Sequence, residues 1–361
     1  MAKKSNNTNK SKKKSQNNSL IKRVLIIIFG ITAVVCVVGG IFAYALFSSN
    51  INIEKDKKEF LLVYENDCYD DIIDKLVSKQ IVKSKKTFEI ASWLLNNKKQ
   101  FKSGRYQITS EMNNLTLVRN IMYGRQTPIS ISFNNVRTKD VLAERLTKKL
   151  KISEEEFLAE LYSEQTLKTL GFNKNTVISL FIPNTYEVYW DITAEELIER
   201  MKKEYDLFWN EERTAKLLDV GLSKEEVSTL ASIVEEETRK KDEQPVVAGL
   251  YLNRIHKNIP LQADPTVKFA VQDFSLRRIY KKHLEYDSPY NTYMYAGLPP
   301  GPIRVPSIQA IDAVLNFVNH DYIYMCAKED FSGYHNFATS YKEHQENAER
   351  YRRALNKRGI K

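Results

Sequence analysis

The chain begins polar, passes abruptly into an unbroken apolar run, and then settles into short alternating and helically spaced patterns. Residues 24–47 are 24 positions without a charge. As a helix they would be about 36 Å long, enough to cross a bilayer core with some tilt. A cleaved secretory signal has a shorter apolar region of roughly 7–15 residues, and Ala43-Tyr-Ala45 matches a cleavage site only faintly. After a polar connector at 48–58, residues 59–64 read as a strand. Ile72, Ile73, Leu76 and Val77 then recur at helical spacing. A second helix is predicted over 86–95, a strand over 104–109 and a third helix over 116–122. Together, residues 55 to about 125 read as a small α+β module. Ile129-Ser-Ile-Ser-Phe alternates like a half-buried strand and opens a mainly helical region, with helices predicted over 139–149, 153–162 and 193–209 and interrupted by Phe181-Ile-Pro-Asn-Thr-Tyr-Glu-Val-Tyr, a Pro among aromatics. Ser153 and Ser223 each precede a Glu by three residues, the capping-box pattern that starts a helix. No internal repeat is visible.

Charge changes the picture of the N-terminus. The 361 residues hold 55 Lys+Arg against 45 Asp+Glu, a net charge of +10. Residues 1–23 contain eight bases and no acid, so +8 of the +10 lies before the apolar run and +2 remains for the rest. The imbalance is therefore a signal for an N-terminus held inside, with everything after residue 47 outside the cytoplasm. It is not a nucleic-acid footprint. The Lys, Asn and Ser composition of the first 19 residues predicts disorder. Of three cysteines, Cys36 falls in the run, leaving Cys68 and Cys326 far apart, so no disulfide framework is expected and one bridge between them stays open. His256, His283, His320, His335 and His344 are scattered without metal-ligand spacing, and no metal or cofactor is expected.

Chemistry is concentrated in the helix predicted from Ser223. Val227, Leu230, Val234 and Glu237 are spaced three, four and three apart and share one face. A carboxyl held against an apolar surface has its ionised form disfavoured and can donate a proton near neutral pH. Of Glu235, Glu236 and Glu237, the last is best placed. The same position also fits an amphipathic boundary, or a pair with a base such as Arg254. A further helical stripe holds Val247, Leu250, Tyr251 and Arg254. Two loops follow, 260–267 with two prolines and 288–303 with prolines and glycines, carrying Gln262, Asp264, Tyr290, Asn291, Thr292, Tyr293 and Tyr295. Planar aromatics among amides and hydroxyls suit a carbohydrate groove, although such loops also serve as rigid connectors.

Ala231-Ser-Ile-Val-Glu-Glu-Glu-Thr, Val247-Ala-Gly-Leu-Tyr-Leu-Asn-Arg, Leu261-Gln-Ala-Asp-Pro-Thr-Val, Tyr290-Asn-Thr-Tyr, Gly297-Leu-Pro-Pro-Gly-Pro-Ile, Gly333-Tyr-His-Asn-Phe and Tyr341-Lys-Glu-His occur in this order. In them the chain resembles the endolytic murein transglycosylases, the MltG or YceG-like family, from about residue 55 to the end. The resemblance implies an α+β protein: a basic tail (1–23), a single transmembrane helix (24–47), a LysM-like module (48–125) and a mainly helical catalytic domain with β elements (126–361). It implies a cofactor-independent lyase that cleaves MurNAc-β-1,4-GlcNAc bonds in peptidoglycan, leaves 1,6-anhydro ends and terminates strands beside cell-wall synthases. The catalytic acid is assigned to Glu237, with Glu235 as fallback. The substrate-binding set is Gln262, Asp264, Asn291, Tyr293, His335 and Asn336. Glu236 stands where the family often has Lys, an added negative charge expected to raise the acid's pKa further. The alternative is a non-catalytic, membrane-anchored glycan-binding scaffold.

Overall fold

In the computed structural model, which describes residues 6–95, 100–276 and 278–359, the charge-free run lies within one long helix, α1 (Asn6–Phe47). Within it, Ser19–Phe47 is long and apolar enough to cross a membrane and is not packed inside protein. Residues 6–19, expected from their composition to be disordered, are helical. Once nucleated, a helix extends at one hydrogen bond per residue fixed, and the apolar run supplies the nucleus. Residues 1–5 of the expected tail lie outside the described residues.

Two compact units divide the chain, Met1–Pro128 and Ile129–Lys361. In the first, α1 is followed by β1 (Lys58–Val63), α2 (Tyr69–Ser78), α3 (Lys85–Leu95), β2 (Gly104–Thr109) and α4 (Asn114–Tyr123). The strands pair antiparallel, Lys58 opposite Thr109 and Val63 opposite Gly104. Alternation along β2 buries Tyr106 and Ile108 against Leu61, Val63, Ile72, Leu76, Phe88, Leu117 and Ile121. Asn113 caps α4 by accepting from the Thr116 N–H at 2.9 Å, and Gly124 ends it at φ 67°.

The second unit runs β3 (Ile129–Ser132), α5 (Lys139–Thr147), α6 (Glu154–Leu161), α7 (Glu164–Leu170), β4 (Thr185–Val188), α8 (Ala194–Phe208), α9 (Glu211–Val220), α10 (Lys224–Glu237), α11 (Gln244–His256), α12 (Asp264–Ala270), α13 (Lys281–Leu284), α14 (Ile308–Leu315), β5 (Tyr324–Ala327), β6 (His335–Ala338) and α15 (Tyr341–Lys357). Among the described residues its strands form two antiparallel pairs, β3 with β4 across the stretch that holds α5, α6 and α7, and the hairpin of β5 with β6. Two stretches read from sequence as interruptions or loops contain regular structure. The aromatic segment after Pro183 holds β4, whose Val188 pairs with Ile129. The loop at 260–267 turns into α12 at Asp264, because Pro265 sits in the first turn, where no N–H is needed. Cys68 and Cys326 are free thiols.

At the centre of this unit is α10, which packs against α11, α12 and α14. Both capping boxes form as predicted, at Ser153 and Ser223. Every residue of α10 from Val227 to Val234 is buried. Its small hydroxyls permit this because each finds a partner: Ser228 and Thr229 donate to carbonyls of their own helix, and Ser232 both donates to Thr229 O and accepts from the Ile303 N–H at 3.0 Å.

Gly249 in α11 permits an equally close approach, since a Cβ there would stand 2.3 Å from the Val318 carbonyl oxygen. Replacing a mid-helix Gly by Ala gains about 1 kcal/mol of helix propensity in an open site. Here backbone must shift, an overpacking cost of about 1–3 kcal/mol. The expected outcome for Gly249→Ala is therefore net destabilisation, read as a lower midpoint in urea unfolding with unchanged slope.

Candidate active site

Glu237 closes the buried apolar face of α10 that begins with Val227, Leu230 and Val234. The phenol of Tyr251, one helix along on α11, donates to Glu237 Oε1 at 2.9 Å. Burial pushes the Glu237 carboxyl up to about 7. The Tyr251 hydrogen bond opposes that rise, the Asp264 carboxylate adds to it, and His335 and Lys268 oppose it more weakly. The negative end of the α10 dipole acts in the same upward direction. A group protonated near neutrality and facing a cavity can act as a general acid.

The cavity, roughly 290 Å³, is lined by Glu237, Leu250, Tyr251, Arg254, Leu261, Gln262, Asp264, Tyr293, Tyr324, Met325, Cys326, Ala327, His335 and His344. A second cavity of similar volume, bordered by Arg137, Lys139, Tyr162, Lys174, Phe269 and Tyr290, lacks Glu237. Size does not separate the two; the protonated acid does.

Arg254 organises the wall opposite the acid. Its guanidinium donates to the carbonyls of Pro260 and Ile323 and, at 2.7 Å, to Gln262 Oε1, tying the loop after α11 and the entrance of β5 to one helix. Gln262 adopts φ 52°, and its N–H donates to Thr292 O at 3.0 Å. Thr292 also accepts from the Ala263 N–H at 3.1 Å and stands 2.8 Å from the Thr266 hydroxyl. The loop around Asn291 is thereby fastened to the start of α12. Tyr293 leaves that loop and donates to Asp264 Oδ1 at 2.7 Å.

His335 is gripped at two points by Glu243, which accepts from its backbone N–H at 2.6 Å and bonds its ring Nδ1 at 2.9 Å. A carboxylate can only accept, so Nδ1 carries the hydrogen. Glu243 is buried, which alone would raise its pKa. Hydrogen bonds from the His335 ring, the Thr238 hydroxyl and the His335 backbone bring it below the usual value instead. Beside this pair, His344 stacks on Tyr324 with ring centroids 5.2 Å apart, and its buried Nδ1 has no hydrogen-bond partner among the described residues. Burial, with Arg254 second, holds the His344 pKa down.

Of the residues singled out in the sequence, Glu237, Gln262, Asp264, Tyr293 and His335 meet in one cavity. Asn291 and Asn336 do not line it. Asn291 is fully buried behind the wall, donating to the carbonyls of Leu284 and Tyr286 at 2.9 Å each and accepting from the Tyr293 N–H. Asn336 follows His335 on β6, where alternation turns it to the other face, and it donates to Glu329 at 2.8 Å. Glu235 accepts from the Ser307 N–H at 2.9 Å and lies 3.5 Å from Arg304, away from the cavity. Glu236 does not act as expected: Arg137 binds it at 2.8 Å and Arg304 binds it as well, so its charge is compensated and Asp264 is the carboxylate acting on Glu237. Glu243 and Tyr324 were not singled out, His344 was named only as a histidine without metal-ligand spacing, and Arg254, offered as a base pairing with Glu237, bonds Pro260, Ile323 and Gln262 instead. Tyr251 and Arg254 did carry a signal, a phenol and a guanidinium inside an apolar helical stripe. Among the described residues no three His, Cys, Asp or Glu side chains are grouped to hold a metal ion.

A family model described as the YceG-like family matches residues 61–350. The endolytic murein transglycosylase of Bacillus subtilis (strain 168) is 29% identical over 333 residues, covering 87% of this chain and 91% of that protein. The endolytic murein transglycosylase of Streptococcus pneumoniae (strain ATCC BAA-255 / R6) is 25% identical over 346 residues, covering 86% of this chain but 62% of that longer protein. A crystal structure of a yceG-like protein from Listeria monocytogenes matches with a TM-score of 0.52 and 25% identity, over 80% of this chain and 99% of its own.

Two outcomes follow from the electrostatics of Glu237. Its pKa is raised on folding from 4.5 to about 7, so its contribution to stability is fully present below pH 4.5 and is lost as pH rises through about 7. A Glu237→Gln variant, which stays neutral, should gain on the wild type across that window, by up to about 3 kcal/mol at pH 8, in paired unfolding curves at several pH values. Tyr251→Phe removes the hydrogen bond that favours the ionised form. Carbon NMR titration of the labelled Glu237 carboxyl should then show a midpoint above that of the wild type.

Proposed function

The chain belongs to the YceG-like family, and on that premise we propose that it is a membrane-anchored endolytic murein transglycosylase, a lyase that cuts the MurNAc-β-1,4-GlcNAc bond within glycan strands. The observation that carries the reading is a single one: a carboxyl kept protonated up to about pH 7 at the edge of a cavity, with a tyrosine hydroxyl on it. The name of the Bacillus subtilis relative, matched across most of both chains, supports the substrate class.

In the proposed reaction Glu237 protonates the departing glycosidic oxygen. Its carboxylate then takes the proton of the muramoyl C6 hydroxyl, which attacks C1 and closes a 1,6-anhydro ring. No water is consumed. Holding the internal nucleophile beside C1 lowers the barrier through proximity. Asp264, fixed by Tyr293, places negative charge where the oxocarbenium-like centre develops. Gln262, oriented by Arg254, and His335, oriented by Glu243, offer hydrogen bonds to the flanking sugars. The presence of Asp264 in the cavity favours one second reading, a hydrolase in which two carboxylates activate water.

The anchor is the apolar part of α1, with the basic tail on the cytoplasmic side by the positive-inside rule. The order β1, α2, α3, β2, with antiparallel strands, supports reading the first unit as a LysM-like glycan-binding module. Cleavage close to the membrane would end nascent strands beside the cell-wall synthases that extend them.

The deciding experiment is mass spectrometry of soluble products after incubation with purified sacculi. The wild type should release anhydro-ended fragments at a rate that falls as pH rises through about 7. Glu237→Gln should lose about 10²–10⁴-fold. Reducing ends would favour the hydrolase, and undiminished anhydro products from Glu237→Gln would overturn the assignment of the acid.

A further inference from the structure

The end of α1 is built into the first unit. Ala45 is buried, its carbonyl accepts from Asn114 Nδ2 at 2.8 Å, and Asn114 Oδ1 accepts in turn from Asn50 Nδ2 at 3.0 Å. Helix α3 touches this segment at two levels. Just before its first residue, Ser84 exchanges hydrogen bonds with the Asn50 side chain at 2.8 and 2.9 Å. Near its last, Trp93 stacks on Phe42 with ring centroids 6.4 Å apart and 29° between planes. Asn50 lies beyond the end of α1 and Phe42 before it, so α3 runs back alongside α1 and its C-terminal end points toward the apolar span.

Depth follows from helix geometry. The charge-free run of about 36 Å exceeds a hydrocarbon core of about 30 Å, so about 3 Å projects into the headgroup layer at each end. Phe42 precedes Phe47 by five residues, about 7.5 Å, which puts it within about one helical turn of the hydrocarbon boundary. Trp93, stacked on it, shares that level. Yet Trp93 is 60% exposed and Leu94 37%, and on α1 Tyr44 and Phe47 are 66% and 62% exposed. Large apolar side chains left bare at this height match the aromatic belt found at membrane–water interfaces, where an indole keeps its ring in the boundary and its N–H near water. At the opposite end of α3, near the level of Asn50, Lys85 and Lys86 are exposed, where phosphates of anionic lipids would lie.

We propose that the C-terminal end of α3 is inserted in the outer membrane–water interface, Trp93 and Leu94 at the headgroup–hydrocarbon boundary, so that the first unit is seated on the lipid surface as a second part of the anchor. The inference rests on the anchoring reading above, and it names an interaction surface, the lipid bilayer, that the span alone does not require.

Fluorescence tests it in the full chain reconstituted into phosphatidylglycerol-containing vesicles. Of three tryptophans, Trp190 and Trp209 are buried, at 6% and 4% exposure, so quenchers that reach only exposed rings report Trp93. Nitroxides on the headgroup and upper acyl chain should remove most of its emission, aqueous iodide should remove little, and Trp93→Phe should abolish the lipid-quenched component. Emission quenched by iodide and indifferent to lipid nitroxides, in protein that floats with the vesicles, overturns the insertion alone. Protein that does not float overturns the anchoring reading and the insertion with it.

Discussion

Withholding water from one carboxyl group is the constraint that the second unit is organised to meet. Glu237 ends a helix that is buried from Val227 to Val234, and that buried stretch fixes where the acid sits at the cavity edge. The desolvation that follows outweighs the one strong hydrogen bond it receives, from Tyr251, and leaves the group protonated near neutrality. A shallower helix would let water restore an ordinary carboxyl. A second strong donor would stabilise the charge and lower the pKa in the same way. The balance of burial against a single phenol is what makes this glutamate chemically different from its two neighbours.

Those neighbours show how sharply position along a helix divides roles. Glu235 receives the Ser307 N–H at the start of α14, and Glu236 binds two guanidiniums. Both therefore tie α10 to the segment around Arg304 and Ser307, while among the described residues Glu237 is left with no cationic partner in contact. The rest of the wall repeats this logic: Arg254 orients Gln262, Asn291 positions Tyr293, Tyr293 holds Asp264, and Glu243 holds His335. Each group facing the cavity is fixed by one behind it, which is how preorganised polarity is maintained without reorganisation during reaction.

Much of this was legible in the residues before any fold was considered. The charge-free run, the two capping boxes and the apolar spacing of α10 depend on neighbours within one or two turns, and such signals survive in a linear reading. Misjudgements arose where local signals competed. Pro183 suggested an interruption between helices and Pro265 a loop, but the first precedes a strand held by a partner far back in the chain, and the second occupies the first turn of a helix. Asn291 and Asn336 had the right chemistry for sugar recognition. Burial took one and strand alternation turned the other away.

The sequence by itself determined an apolar helix fit for a membrane, a basic segment before it, and an acid at the end of an apolar helical face, because these rest on composition and periodicity. Only the tertiary structure decided which groups surround that acid. Tyr251, Asp264, Arg254, His335 and its partner Glu243 come from separate helices, loops and a strand, and their juxtaposition depends on how α10, α11, α12 and the β5–β6 pair pack. A pKa is set by everything within a few ångströms in space, whatever its distance along the chain. That is why the place of Glu237 on its helix could be read early and its environment could not.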